Sequence, residues 1–487
     1  MFASAAAYAA SAERKISPVH RTLLHLLDYA NLIIVTYFIV ANVVYTILMA
    51  ISLYAVTLHS RFAAHTSYAD IVDSPATPPI TLIVPAYNEQ DVIATTVHAL
   101  LNLEYPEKEI MVVDDGSTDE TLARLIKEFE LQRMDLIYRE FVPSKRPWGF
   151  YLNPQVPNLV VLAKENGGKA DALNAGLNMC RSPFFCTVDA DSIVERKALL
   201  RLMAPIMHAS VNTVVSGGLV RIANGCTVAN GEVTEIGLPG TWLERCQVVE
   251  YIRTFLFGRP GWNFLKGNFI TSGAFCMMHR ETVVLAGGFD RDTVTEDIDM
   301  IARLHTFAEK RRWKADMVFT TDPVCWTECP KQFRMLARQR RRWQLGLVQT
   351  VFKHDRLIFN LKQGRLGLLS MPFHAYVEAF GCVVETLGLV ILPLSLFVGA
   401  MPLSLFLLIM FLAVGYGTLL SVVSVLLAEA TIRRYPTYSD MLTLVLYAFL
   451  ENFGYRQAVS AARAHGVFQF VLGKRRWEVV THKGVEA

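Results

Sequence analysis

Ile80–Glu89 reads ITLIVPAYNE and Glu109–Thr121 reads EIMVVDDGSTDET. Each opens on a run of Ile, Val, Leu and Met that suits a strand buried on both faces, and each ends in residues made for tight turns. Helical spacing follows both. The succession recurs at NLVVLAKENGGKADALNAG (Asn158–Gly176) and at PFFCTVDADS (Pro183–Ser192). Such alternation of strand and helix calls for a mostly parallel α/β sheet with helices on both faces. In sheets of that kind ligands bind beyond the carboxyl ends of the strands.

The polar residues lie at those ends. Asn88 and Glu89 follow the first strand, Asp114 and Asp115 the second, Gly167 to Asp171 the third, and Asp189 and Asp191 the fourth. Singly, each group is ordinary turn or helix-cap material; together at one rim they call for a common purpose. A nucleoside diphosphate is highly charged, and an acidic site holds it only through a divalent cation such as Mg2+ or Mn2+, which takes carboxylate oxygens. Of Asp189 and Asp191, one suits the metal and the other a ribose or a second water. Asp114 suits a base or ribose. Lys169, starting a helix behind two glycines, offers charge and free N–H groups to phosphate.

At 487 residues the chain exceeds one ordinary core. Its 52% hydrophobic and 19% charged residues fit a membrane protein with a large water-facing part. A net charge of +3 makes no case for nucleic acid as a partner. The eight cysteines are scattered, as in a reduced, cytosolic environment, and Cys325 and Cys329 lack a second pair at zinc spacing.

The organisation expected is a segment 1–60 with a first membrane helix (apolar from Asn31 to Leu58), a cytosolic domain 61–330, amphipathic interfacial helices 331–374, a transmembrane hairpin 375–428, and an interfacial helix and tail 429–487. The first apolar run is too long for the core of a cleaved signal peptide. Basic residues at Arg433 and in GKRRW (Gly473–Trp477) belong on the cytosolic side. Met441–Phe453 is too short to span, so three spans are expected, four being the alternative. Glu378 and Glu385, seven residues apart on one face of the second span, predict a polar cavity or polar partners there. YREFVPSKRPWGFYLNPQVPN (Tyr138–Asn158) reads as an unusually long loop.

RQRRRWQLG (Arg338–Gly346) places four arginines beside Gln339 and Trp343. Gln339, Arg342 and Trp343 share one helix face and Arg338 and Arg341 a neighbouring one, so one side can serve a site and the other lipid headgroups.

In order along the chain, VPAYNE, VVDDGSTDET, ENGGKADALNAG, DAD, TED (Thr295–Asp297) and the Q-x-x-R-W of Gln339, Arg342 and Trp343 resemble the motifs of membrane-embedded, processive family 2 glycosyltransferases. Cellulose, hyaluronan, chitin and poly-N-acetylglucosamine synthases belong to that group. The resemblance runs by motif over residues 80–352 and by layout through the hairpin. It implies an α/β GT-A (Rossmann-like) domain plus α-helical transmembrane and interfacial helices. It further implies that Tyr87, Glu89, Asp114, Asp115, Lys169 and Asp189 bind a UDP-sugar donor, with Gln339, Arg342 and Trp343 over it. Asp189 and Asp191 would hold the metal, and Asp297, with Glu296 beside it, would be catalytic. Ser272, Gly273 and Phe275 in GNFITSGAFCMM, with Trp343, would meet the acceptor.

These roles agree with the chemistry of inverting transfer. A base must take the acceptor hydroxyl proton as its oxygen attacks. The leaving diphosphate needs charge neutralised by metal and by a guanidinium such as Arg342, and Trp343 offers a flat face to a sugar ring. The expected function is therefore extension of a β-linked polysaccharide coupled to its export, N-acetylglucosamine being the first-guess sugar. The alternative is transfer of one sugar to a lipid, as in ceramide glucosyltransferases. A scaffold with a degenerate domain is disfavoured, because every expected acidic position is filled. The tail RRWEVVTHK resembles the cellulose synthase gating segment at Val480, Thr481 and Lys483, though Trp477 lies one residue too far upstream. It leaves no room for a cyclic-dinucleotide-binding barrel, which makes cellulose less expected. The enzyme is expected in the plasma membrane with its catalytic domain cytosolic. Its partners would be donor, polysaccharide and lipid bilayer, and three spans make a narrow channel that leaves room for a helper subunit or homo-oligomer.

Overall fold

A computed structural model describes residues 18–65, 68–209, 211–229, 231–432, 435 and 437–473. The α/β domain is built on one ten-stranded sheet. Its strands are β1 (Ile80–Ala86), β2 (Lys108–Asp114), β3 (Gln132–Met134), β4 (Pro147–Leu152), β5 (Leu159–Lys164), β6 (Phe184–Val188) and β7 (Ile193–Val194), then β8 (Asn212–Ile222), β11 (Phe275–His279) and β12 (Ala315–Thr327). Strands β9 (Thr227–Ala229) and β10 (Glu232–Glu235) form a separate hairpin.

The order is β3-β4-β5-β2-β1-β6-β11-β8-β12-β7. Its middle, β5-β2-β1-β6, is parallel and almost wholly apolar, as the four repeats predict. Ile80, Leu82 and Val84 enter the core on one face, while Ile83 joins Met111 and Val113 on the other. Both flanks are antiparallel apart from the β8–β12 pair, so the sheet is mixed rather than mostly parallel. The Tyr138–Asn158 stretch departs from the long loop expected: it folds back as β4 beside β5.

β1 keeps its pairing to β2 through Ala86 but leaves β6 after Ile83. Pro85, which has no N–H to donate, thus sits where β1 and β6 part. The chain also reverses its direction of strand addition there, β2 lying on one side of β1 and β6 on the other, and a binding crevice forms at such a switch point.

Among the described residues, three helices are long and apolar enough to cross a membrane: Arg21–Ser60, Leu366–Val398 and Leu403–Ala430. The first lies within a helix running Pro18–His65, longer at both ends than its apolar run. The second begins ten residues earlier than the expected Tyr376, through π-helical turns at Leu366–Ser370 and Phe373–Ala379. Tyr438–Leu450 has 13 residues, about 20 Å of helix against a hydrocarbon core of about 30 Å. Glu378 accepts from the Tyr45 hydroxyl at 2.9 Å and pairs with Arg463 at 3.0 Å, while Glu385 accepts from Tyr37 at 3.4 Å and from Ser460. Both carboxylates therefore meet protein partners. All eight cysteines are free thiols, seven of them buried. Arg433, Trp477, Val480, Thr481 and Lys483 lie outside the described residues.

Candidate active site

The first two turns of the rim are laced together. Asn88 adopts a φ of 59°, a left-handed conformation that asparagine tolerates better than most residues. There its Oδ1 accepts from Thr118 N at 2.8 Å while its own N–H donates to Ser117 Oγ at 3.0 Å. The next two N–H groups, of Glu89 and Gln90, donate to Thr121 Oγ1 at 2.9 Å and Asp119 Oδ2 at 3.2 Å. Tyr87 lies half-buried where β1 ends. Asp114 is buried, accepts from Ser117 N at 3.3 Å, and has its pKa raised by burial against the hydrogen bonds of Ser117.

Asp115 departs from the expected donor contact. Its carboxylate accepts from Gly167 N at 3.0 Å and Gly168 N at 2.7 Å and pairs with the fully buried Lys164, whose Nζ also lies 2.8 Å from Asp171. Gly168 has a φ of +88°, and a β-carbon on Gly167 would stand 2.6 Å from Asp171. The Asp115 carboxylate is thus spent on shaping the glycine turn, a role that depends on a lysine facing inward from β5. That turn starts the Lys169–Met179 helix.

Lys169 bridges two acidic turns, with its Nζ 2.6 Å from Asp189 Oδ1 and 3.3 Å from Glu296 Oε1. Burial disfavours its charge, but these two carboxylates win and hold its pKa above the ordinary value. Across the crevice Glu89 is pushed to about 8 by burial, then by Asp191 and Asp189. Glu328, directly after β12, is pushed to about 7 by burial and Asp191. Glu89 Oε2 and Glu328 Oε1 are both enclosed without a hydrogen-bond partner. Glu328 escaped the sequence reading, although an acid just past a strand is the signal that marked the others.

Crowded carboxylates with orphaned oxygens suit a cation. Among the described residues no three acidic, His or Cys side chains converge closely enough to hold a metal alone. Asp189 and Asp191, which these carboxylates crowd, would hold such an ion only with further ligands from outside the protein, such as phosphate oxygens and water.

Asp297, in the first turn of the Glu296–Lys310 helix, accepts from Gly273 N at 3.0 Å and from Ile298 N at 2.9 Å. Burial and the neighbouring Glu296 raise its pKa to about 6, with Lys169 opposing. A β-carbon on Gly273 would sit 3.0 Å from Asp297 Oδ2, so the bare backbone allows the approach. Ser272 is half-buried beside it. Phe275 is 0% exposed within the core, so its ring does not line an acceptor surface; as first residue of β11 it faces inward.

The arginine-rich helix, Phe333–Lys353, is fixed at three levels. Arg340, absent from the sequence-based candidates, is 2% exposed and bidentate to Glu250 at 3.0 and 2.9 Å, and its guanidinium lies 4.3 Å from the Trp343 ring centroid. Gly346 packs against Thr295. At the end of the helix Lys353 and His354 meet the fully buried Asp299 at 2.8 and 2.9 Å. Gln339 accepts from Arg340, while Arg342 and Trp343 remain exposed.

Two family models match the chain: glycosyl transferase family 2 over residues 81–142 and glycosyl transferase family group 2 over residues 184–422. The probable glycosyltransferase YdaM of Bacillus subtilis (strain 168) is 27% identical over 343 residues, 69% of this chain and 72% of its own. The poly-beta-1,6-N-acetyl-D-glucosamine synthase of Staphylococcus aureus (strain MSSA476) is 27% identical over 299 residues, and the match spans 61% of each protein. Among solved structures, the mannosyltransferase PcManGT from Pyrobaculum calidifontis, in complex with GDP-Man and Mn2+, superposes with a TM-score of 0.47 at 19% identity, covering 85% of this chain and 99% of its own.

Proposed function

Because the chain carries glycosyl transferase family 2 domains, we propose that it transfers a sugar, with inversion, from a UDP-sugar to a growing β-linked polysaccharide. The observation that carries this reading is Asp297. It is a buried carboxylate with both oxygens fixed by backbone N–H groups and its pKa lifted to about 6, beside a lysine that reaches the Asp189 turn. A base with that pKa is ionised at neutral pH yet basic enough to take a hydroxyl proton.

Tyr87, Glu89 and Asp114 line the end of the crevice that suits uridine, and Lys169 faces the diphosphate. Asp189 and Asp191 would hold Mg2+ or Mn2+, which would supply positive charge to the phosphate oxygens. Arg342 adds a guanidinium for the leaving group, Gln339 backs it, and Trp343 stacks on the sugar. The backbone at Ser272 and Gly273 borders the acceptor. Asp297 removes the acceptor proton while Glu296 keeps Lys169 in place.

N-acetylglucosamine is the favoured sugar, in keeping with the named activity of the staphylococcal relative. The catalytic domain faces the cytosol, and the product leaves along the three membrane helices. Purified protein in lipid nanodiscs, given a panel of UDP-sugars with Mn2+ or Mg2+, tests this. A long polymer from UDP-N-acetylglucosamine, lost in Asp297→Asn, supports the reading. Transfer of one sugar to an added lipid would replace it with the lipid-acceptor alternative.

A further inference from the structure

The Arg259–Phe264 helix joins two parts of the molecule that polymer growth has to connect. On one side Gly261 presses on the first membrane helix, where a β-carbon would stand 2.6 Å from Ser52 Oγ. On the other side Asn263 Oδ1 accepts from Phe319 N of β12 at 2.8 Å and from Asn268 Nδ2 at 2.7 Å. The chain then runs on to Gly273 and its bond to Asp297.

Arg259 heads this helix. Its guanidinium carbon lies 3.8 Å from the Phe255 ring centroid and 5.7 Å from that of Phe319. Among the described residues it forms no ion pair, and its Nη1 is enclosed without a hydrogen-bond acceptor. Burial lowers its pKa to about 10, opposed most strongly by the charge of Asp297, so the group stays cationic at neutral pH.

A guanidinium can only donate, and an enclosed donor with no acceptor costs roughly 1–3 kcal/mol. The faces of Phe255 and Phe319 stabilise the charge but offer Nη1 no lone pair. An acceptor chain growing from Asp297 toward the first membrane helix would bring oxygen atoms, since its hydroxyls carry lone pairs and its C–H faces suit aromatic rings.

We propose that Arg259 is an acceptor-binding residue: its Nη1 donates to an oxygen of the acceptor's terminal sugar and so steadies the reacting hydroxyl against Asp297. This rests on the glycosyl-transfer reading above. Arg259 exchanges no proton in the step; Asp297 takes the hydroxyl proton and UDP departs with the electrons of the broken bond.

The test uses the full chain in nanodiscs with UDP-N-acetylglucosamine, Mn2+ and free N-acetylglucosamine as acceptor probe. In Arg259→Met the KM for N-acetylglucosamine should rise at least about tenfold, the loss of one charged hydrogen bond. The KM for UDP-N-acetylglucosamine should stay at the parent value, and Arg259→Lys should recover part of the acceptor affinity. An unchanged acceptor KM, or donor and acceptor KM rising together as for a packing residue, overturns the proposal. If the methionine variant does not fold, Arg259→Lys decides, because its shorter, unforked cation should still weaken the acceptor, and parent-level values would count against the role. A parent that turns over UDP-N-acetylglucosamine only onto lipid overturns this proposal and leaves glycosyl transfer standing. A parent that releases no UDP from any UDP-sugar overturns the transfer reading as well.

Discussion

Gly346 rests on Thr295: a β-carbon at position 346 would stand 2.3 Å from Thr295 Oγ1. The helix that displays Trp343 and the turn that displays Asp297 therefore touch through a missing side chain. Gly346→Ala has to separate them, and displacements near 1 Å cost about 100-fold in rate. The kcat for UDP release should drop by about that much while donor binding persists. Parent-level kcat would show that the contact does not set the geometry.

The acid limb of the pH profile should lie near 6, the value to which burial and Glu296 raise Asp297. Below it the carboxyl holds a proton and cannot take another, so kcat/KM should fall about tenfold per pH unit. Glu296→Gln removes a negative neighbour that favours protonation, so the limb should move to lower pH. A limb that stays put in that variant would assign it to another group. Asp297→Asn should lose roughly 100- to 10,000-fold at every pH.

Arg340 and Glu250 make a buried bidentate pair beneath the tryptophan. Glu250→Ala strands the guanidinium, and breaking such a pair costs about 3–5 kcal/mol. Thermal unfolding in detergent should show a large fall in Tm. Arg342→Ala, at an exposed neighbour, should leave Tm unchanged and lower turnover. Equal effects of the two substitutions on Tm would contradict this division.

If Asp189 and Asp191 hold the cation, Mn2+ should raise Tm in the presence of UDP, and Asp191→Asn should shrink that shift. EDTA should abolish UDP release, with recovery on adding Mn2+ back. A Tm response as large in Asp191→Asn as in the parent would move the ion elsewhere.

The acidic turns were legible because each directly follows an apolar run, and a strand end fixes where its next residues go. Asp115 was not, since what turns it from the donor is Lys164, 49 residues on and pointing into the core from β5. Arg340 and Arg342 look alike in a run of arginines; only the rotation of their helix relative to Glu250 separates the structural one from the exposed one. Phe275 depended on strand parity, which a Ser-Gly stretch leaves open. The antiparallel flanks of the sheet lie outside the four clean repeats, where sequence carries no pairing direction.

The two margins of the sheet are its shortest strands, β3 with three residues and β7 with two. Where β12 extends past β7, Asn263 and Asn268 occupy the Phe319 N–H and the Met317 carbonyl. Little backbone is left for a foreign strand to zip onto, which is how sheet proteins avoid edge-to-edge aggregation. Copies of this chain therefore meet few open strand edges on one another's sheets. Their sheets then stay unfused even when crowded side by side.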